Sequence, residues 1–478
     1  MVRIIFLVLV VLTVLHQVSG QSAGTSTPTS PTEEHHLVIG HGRDTLRPAP
    51  MADADGNSWW QIFGYNKLDE LIKKALQNNH QLAAVQSQVN ESDARVRLAK
   101  SSLFPSLSVN PSVTREELAA NRPLPFDVPA ERVRYSTYLL PVELSYEVDL
   151  FGKNNSEKKA SQFRFDSAVA SQKASELDIS AAVSQNFILL LMLDSEADVL
   201  KRTRLDRIEN LEIVTTRYDA GLTNEMDVQR ARTELASVDI QIKNVQIERR
   251  NAELQLAVLT GQPSENFSVK SGGIQYTAPE MKAVAPSGLT ITRPDLEAGK
   301  WSVEAYKQQV KNARRNRLPS LNLFGSAGLI SAVPDDLFDD DSRNWLVGAN
   351  LSIPVFEGKR RQSMLKITEH QLDGSMASLK QNEVMASRQV SQAADELHRL
   401  KEQFSDQQTF LSAAYRTADL SRQRYKQGLV TYLEVVDADR VVLEAERLLI
   451  RLLGTQLLST VDLLVALGGD AEQIYPLK

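Results

Sequence analysis

The chain has 478 residues, too many for a single hydrophobic core, so we expect several substructures. Its 54 basic and 60 acidic residues leave a net charge of -6, which gives no electrostatic case for nucleic-acid binding. It contains no cysteine, and this excludes disulfides, zinc–thiolate sites and thiol catalysis.

Residues 1–20 have the pattern of a signal peptide. Arg3 precedes an apolar run at residues 4–15, and the small residues Ser19 and Gly20 follow it. The run is too short to cross a bilayer as a helix, so we expect an exported protein. Gln21 stands where a lipidated cysteine would be needed, so the sequence as written predicts no acyl anchor. Since no later run of about 18 apolar residues is expected, insertion into a membrane would require a closed barrel.

The next segment, residues 21–57, is rich in Ser, Thr, Pro and Asp, and this composition predicts an extended linker. Three of the seven histidines lie close together here, at positions 35, 36 and 41, and we interpret them as solvated rather than as metal ligands. Trp59 and Trp60 open the folded part, and a helical apolar pattern follows.

The apolar period then changes from helical to two. Residues 106–113 and 138–150 alternate apolar and polar side chains, and with the polar loop 114–134 they predict a β-hairpin within residues 103–152. A second hairpin with an acidic loop is predicted within residues 318–358. Each hairpin has one apolar and one polar face.

Two interpretations of these hairpins compete. The first is an antiparallel sheet that packs on a soluble core, and the second is the wall of a transmembrane barrel. Strands of ten or more residues, aromatic side chains near their ends and the lack of a covering element favour the barrel. On that interpretation the polar faces line a wet lumen, with the candidate residues Glu143, Glu147, Asp149 and Asn350.

Each hairpin is followed by a long helical pattern without proline, and the two patterns are copies of each other. The first ends in the sequence RYDAGL at residues 217–222, and the second ends in RYKQGL at residues 424–429. After each turn an apolar seam restarts with steps of three and four, and the two seams are offset by 207 residues. This pattern predicts two coiled-coil helical hairpins and an internally duplicated chain.

Four strands cannot enclose a lumen, so several chains must assemble. Three chains supply 12 strands, which predicts a mainly α-helical homotrimer whose transmembrane β-barrel continues as an α-helical barrel. The predicted segments are repeat 1 at 58–261 with its helical hairpin at 153–261, an inter-repeat or equatorial linker at 262–293, repeat 2 at 294–468 with its helical hairpin at 359–468, and a C-terminal tail at 469–478.

The motifs in this order resemble the TolC-like outer-membrane factor family, or outer membrane efflux proteins. They are the paired Arg-Tyr-x-x-Gly-Leu turns, each followed by an acid-Val pair, the Pro-Ser-Leu strand openings, and the Asp-Leu-Phe-Gly sequence at 149–152. The resemblance covers about residues 58–470. Trp59-Trp60 resembles the NodT-type subgroup that partners proton-driven RND pumps, whereas Gln21 departs from its frequent lipidation.

This resemblance implies an exit duct in the outer membrane of a Gram-negative bacterium, with a long helical extension through the periplasm. The implied partners are a periplasmic adaptor, an inner-membrane pump and outer-membrane lipid, and the implied cargo is drugs or other small molecules. Two alternatives stay open: the channel of a type I protein secretion system, and a periplasmic coiled-coil scaffold without a pore.

The resemblance also implies roles for residues at the two turns. Gly221-Leu222 and Gly428-Leu429 match the closed periplasmic tip, where adaptors dock. The other matches are Glu434 and Asp437 for the acidic constriction, Tyr425 and Asp227 for a latch between hairpins, and Val430 where some members carry a latch arginine.

Helix capping is a simpler interpretation of some of these residues. Thr431 and Glu434 fit a capping box, and Gly221 and Gly428 fit C-terminal cap glycines. Capping does not explain Asp437, one turn beyond Glu434 on the same face.

The sequence contains no P-loop, nucleophile-elbow, His-Glu-x-x-His or Gly-x-Gly-x-x-Gly motif. We therefore predict that the protein is not an enzyme and that it binds no cofactor or metal.

Overall fold

The computed structural model describes residues 47–48, 59–120, 132–277 and 292–470. The predicted signal peptide lies outside these residues, as do most of the N-terminal linker, the end of the C-terminal tail, and parts of the first hairpin loop and the inter-repeat linker. Predictions on those segments, including the histidine cluster and Gln21, stay predictions.

Seven α-helices lie in the described residues: α1 Asn66–Asn78, α2 His80–Ser101, α3 Lys153–Asp219, α4 Glu225–Leu259, α5 Pro294–Arg315, α6 Arg360–Lys426 and α7 Tyr432–Ala466. The strands described are β1 Arg47–Pro48, β2 Ser106–Val109, β3 Ser112–Leu118, β4 Val133–Val148, β5 Tyr276–Thr277, β6 Ser320–Ser331 and β7 Arg343–Ser352. Short 3-10 helices lie at Trp59–Phe63 and Asp340–Ser342.

The long helices repeat at the offset seen in the sequence. Helices α3 and α6 each have 67 residues, α4 and α7 each have 35, and the starts of each pair are 207 positions apart. Within each copy the long helix packs along the shorter one that follows it. The apolar seam therefore forms an α-helical hairpin in both halves of the chain.

The strands of both hairpins join in one antiparallel sheet of order β2-β4-β6-β7, in which β3 also pairs with β4. The first predicted strand is broken between β2 and β3, where Asn110 and Pro111 lie, because proline has no amide hydrogen for the ladder. β4 begins at Val133, five residues before the predicted start. Its early residues Arg134 and Tyr135 donate hydrogen bonds to acidic residues of β3. Because these residues are polar, the first part of β4 does not show the alternation of apolar and polar side chains that predicts a strand.

The register places apolar side chains on one face of the sheet. Val142 pairs with Ala327, which pairs with Trp345, and Leu144, Gly325 and Val347 form the next row. Trp345 and Val347 are 75% and 73% exposed, and no described α-helix packs extensively against the strands. A sheet on a soluble core would need such a cover over its apolar face, and the described residues of this chain supply none.

The main hydrophobic core lies among the helices. Trp59, Phe63 and Leu68 pack there with buried residues of α3, α4, α6 and α7. α3 and α7 each contain an 18-residue stretch apolar enough to span a membrane by composition, contrary to the expectation that no later stretch would be. The chain buries 56% and 50% of these stretches, respectively, so their apolar character reflects the helical core.

The two halves differ in how much of the long helix is covered. Twenty residues of α3 are buried but only eight residues of α6, although both helices have 67. The difference arises because α3 packs against α1, α2, α5 and α7, whereas α6 packs mainly against α5 and α7 and hardly contacts α4 among the described residues. The duplication thus leaves α6 and α4 without the neighbour that their copies have.

An arginine network fixes residues 264–275 to the helices. Arg249 of α4 donates through Nε to Asp194 of α3 (2.6 Å), through Nη1 to Glu253 (2.7 Å) and through Nη2 to the carbonyl of Val269 (2.8 Å). Burial raises the pKa of Glu253, but the Val269 amide and the arginines outweigh it, so the net pKa lies below the usual value.

We expect Arg249→Met to destabilise this region by about 3–5 kcal/mol, because it leaves the buried carboxylate of Asp194 without a cation and that of Glu253 with Arg250 alone. Hydrogen exchange over residues 264–275 should accelerate, whereas Arg314→Met, which removes an exposed ion pair, should cost about 1 kcal/mol or less. The network's stabilisation is complete at neutral pH and is lost as the pH falls below about 4.3 through the lowered pKa of Glu253. Unchanged exchange in Arg249→Met would contradict this account.

Candidate functional site

The two turns that join the helices of each hairpin have the same geometry. Gly221 and Gly428 have φ of 72° and 73°, a left-handed conformation that favours glycine. The amides of Leu222 and Leu429 donate to carbonyls five residues earlier, at 2.8 and 2.9 Å. The predicted C-terminal caps are therefore present, and both leucines are about two-thirds exposed, at 68% and 65%.

The helices that follow begin differently. Asn224 caps α4 by accepting a hydrogen bond from the amide of Asp227 (3.1 Å). Thr431 occupies the corresponding position before α7, but its side chain makes no capping bond. The predicted capping box with Glu434 is therefore wrong, and the Glu434 side chain makes no hydrogen bond or ion pair with any residue that the structure describes.

Glu434 and Asp437 lie one turn apart on the exposed face of α7. Tyr432, Val435 and Val436 face the other way, into a cluster with Val214, Val228 and Ala231. The Asp437 side chain is 63% exposed, and its nearest cation, Arg440 Nη1, is 3.9 Å away. Arg440 is itself held by Glu234 of α4 at 2.5 Å. The fold thus presents two acidic side chains, neither closely paired, on the same side of α7.

The predicted latch is not a hydrogen bond within the chain. Asp227 accepts instead from the hydroxyl of Thr223 (2.6 Å) and from Arg230 Nη1 (3.3 Å). The hydroxyl of Tyr425 is buried and bonds to no described residue. Burial raises the pKa of Tyr425, with the charge of Arg217 opposing this shift and that of Asp227 adding to it. The hydroxyl therefore stays protonated at neutral pH.

A cation–π contact connects the two hairpins in place of that bond. The Arg217 guanidinium of α3 lies over the Tyr425 ring of α6, at 4.8 Å from its centre, and the ring centres of Tyr425 and Tyr432 are 5.6 Å apart. A cation over an aromatic face is attracted by the ring. Arg217 was not predicted as a site residue, although its place as the copy of Arg424 in the repeated turn was a signal.

Two candidate lumen residues, Glu147 and Asn350, lie in the same row on the polar face of the sheet. Glu147 pairs with Asn322, which pairs with Asn350, so all three share a face and form one row. Glu147 also forms an ion pair with Lys153 at the start of α3. Two strands along from β7, Glu143 accepts a hydrogen bond from Asn110 Nδ2 at 2.8 Å.

Asp149 differs from the other candidate lumen residues because it lies just beyond β4. Its carboxylate accepts hydrogen bonds from the backbone amides of Asn154 (3.0 Å) and Asn155 (2.9 Å). These are free amides at the start of α3, where a carboxylate also suits the helix dipole. Asp149 therefore caps the long helix at its junction with the sheet.

Comparison with known proteins identifies the family. The sequence model of the family described as outer membrane efflux protein matches residues 71–262 and 285–469. The chain belongs to this family. The predicted resemblance, the TolC-like fold of long helices with a sheet portion, and the outer-membrane localisation are thereby confirmed.

Relatives include the pyoverdine export outer membrane protein OpmQ of Pseudomonas aeruginosa, 28% identical over 88% of this chain and 89% of that protein. The cation efflux system protein CusC of Escherichia coli is 26% identical, and the match covers 88% of this chain and 90% of the CusC chain. Among solved structures, VceC from Vibrio cholerae has a TM-score of 0.80 at 24% identity, covering 87% of this chain and 99% of that one. The structural likeness supports the fold.

Proposed function

We propose that this protein is the exit duct of a tripartite efflux pump, which passively conducts small molecules through the outer membrane. One observation supports the proposal most strongly: in a member of the outer membrane efflux protein family, a sheet with an uncovered apolar face is joined to two helical hairpins. Each hairpin consists of one helix of 67 residues and one of 35 residues. At 1.5 Å per residue each long helix extends roughly 100 Å, a length suited to crossing the periplasm.

The duct is a homotrimer in this proposal. One chain supplies a sheet whose outer strands, β2 with β3 on one side and β7 on the other, have free edges among the described strands. Unpaired edges in a membrane are costly, and barrel closure removes them. Three copies place β7 of one chain beside the first strands of the next and give a 12-stranded barrel.

The helices support the same assembly. Because the duplication pairs α3 with α7 inside the chain, the equivalent partner of α6 is the α4 of a second copy. That contact would cover the long helix that has only eight buried residues, and it would repeat around the ring. The result is an α-helical barrel that continues the β-barrel lumen.

The turns at Leu222 and Leu429 form the periplasmic end of this tube, where the exposed leucines offer apolar contacts to a periplasmic adaptor. Glu434 and Asp437 then form an acidic ring just inside the tip. Glu143, Glu147 and Asn350 line the barrel lumen, which has generic polar groups suited to wet passage rather than to a specific substrate.

The proposed cargo is drugs or other small molecules, delivered by an inner-membrane pump. Relatives are named for the export of pyoverdine, toluene and cations, so the family serves chemically different compounds. The cargo of this chain follows the pump that it joins.

Two experiments test the proposal. Detergent-extracted protein should give discrete conductance steps in planar bilayers, and deletion of its gene should increase sensitivity to small toxic compounds without blocking protein secretion. A soluble product without conductance would contradict the duct, and a loss of secreted protein alone would assign the channel to a type I secretion system.

A further inference from the structure

A buried carboxylate joins the two helical hairpins near the tip. Asp439 of α7 is 5% exposed, and its Oδ2 accepts a hydrogen bond from Arg207 Nη1 of α3 at 2.7 Å. Its Oδ1 accepts a second bond from Arg422 Nη2 of α6, also at 2.7 Å. Arg207 is itself 3% exposed. One side chain therefore connects the first hairpin to both helices of the second, and we call these three residues the Asp439 clamp.

The Asp439 clamp occurs once among the described helices, although these helices are duplicated. At the offset of 207 residues, the counterparts of Asp439, Arg207 and Arg422 are Arg232, Ala414 and Thr215. These three side chains cannot form the same ion pairs, yet the hairpin that contains Arg232 is as long as its copy. The clamp is therefore an addition to the repeated hairpin and not a requirement for forming it.

The clamp lies beside the acidic residues proposed to line the constriction. Asp439 is two residues beyond Asp437 and five beyond Glu434, and it points into the chain while they point out of it. Since a helix is stiff over two turns, the contact that fixes Asp439 against α3 also fixes the position and direction of both acids.

We propose that Asp439 is a positioning residue for the gate: its ion pair with Arg207 holds the second hairpin against α3 and keeps the periplasmic tip closed. The inference rests on the proposed function, because it takes Glu434 and Asp437 as the constriction. The nearby apolar cluster already provides packing between α3, α4 and α7. A buried ion pair contributes little net stability but favours one arrangement over others, and both charges regain water when the helices separate.

The test uses the full-length protein in planar bilayers. Asp439→Asn keeps the shape of the side chain but removes its charge, and we expect the resting open probability to rise about tenfold. Ion selectivity should change only together with the open probability, because the clamp acts by fixing Glu434 and Asp437 and its own side chain is buried. Asp439→Glu, which keeps the charge, should recover most of the closure. Glu444→Gln, at an exposed position of the same helix, should behave like the wild type.

The outcomes separate the clamp from other roles. Wild-type open probability in Asp439→Asn, with or without a lower melting temperature of the assembly, would overturn the proposal and leave Asp439 a packing residue. A changed selectivity at wild-type open probability would also overturn it, since it would place the charge of Asp439 in the lumen. If Asp439→Asn does not assemble, the resting open probability can be measured in Arg207→Lys instead. This variant keeps the positive charge but replaces the guanidinium with a single ammonium group. Absence of conductance in the wild type would instead contradict the proposed duct.

Discussion

Replacing Glu434 with Gln and Asp437 with Asn in the same chain is expected to reduce the cation selectivity of the channel about tenfold or more. In the proposed trimer these positions bring six carboxylates into one narrow ring. A cleft lined by one sign of charge raises the local concentration of the opposite ion by about 10- to 1,000-fold. Neither acid is closely paired with a residue that the structure describes, so their charge is available to passing ions.

Reversal potentials in a salt gradient and block by divalent cations measure this effect. Both selectivity and block should weaken in the double variant. The matched control is Glu225→Gln with Glu444→Gln, which removes the same charge from exposed helical positions outside the proposed ring. Equal loss of selectivity in the control would show that general surface charge, and not the ring, is responsible.

Tyr425→Ala is expected to raise resting leakage about tenfold or more, whereas Tyr425→Phe should change it little. Alanine removes the ring that Arg217 covers and that packs on Tyr432, and a cation–π contact of this kind contributes up to about 2 kcal/mol when desolvated. Phenylalanine keeps the ring and loses only a hydroxyl that bonds to no described residue.

Single-channel recordings and uptake of an antibiotic that the intact outer membrane excludes measure the leakage. Tyr218→Ala is the matched control, because Tyr218 is the duplicate of Tyr425 in the first turn but is 42% exposed. Equal leakage in Tyr425→Phe and Tyr425→Ala would contradict the stacking account. It would favour the latch predicted from the sequence, in which the hydroxyl pairs with Asp227 when the trimer is assembled.

The helical hairpins could be predicted from the sequence because their apolar seam is local and repeated. Proline is absent from both long helices, and a glycine with positive φ lies two residues beyond the end of each. The predicted bounds of the strands agreed less well with the structure. Pro111 splits the first strand, and the charged residues at the start of β4 lack the apolar alternation that marks its remainder.

The contacts at the tip could not be predicted from the sequence, because they join residues that are far apart in the chain. Asp439 bonds to Arg207 across 232 positions, so its burial could not be inferred from its neighbours in the sequence. Asp149 has the same alternation as the strand residues before it, yet the chain turns there and the carboxylate caps α3. Glu434 and Asp437 are exposed in the structure, with buried residues beside them at helical spacing, and their proposed role at the constriction stays a prediction.

Thiol accessibility along β7 tests most directly whether these hairpins form a pore wall. The chain has no cysteine, so Val347→Cys and Asn350→Cys each introduce a single thiol, on opposite faces of the same strand. In membranes, a water-soluble, membrane-impermeant reagent should modify Asn350→Cys and leave Val347→Cys unmodified until detergent is added. Equal modification of both positions would contradict a barrel with lipid on one face and water on the other.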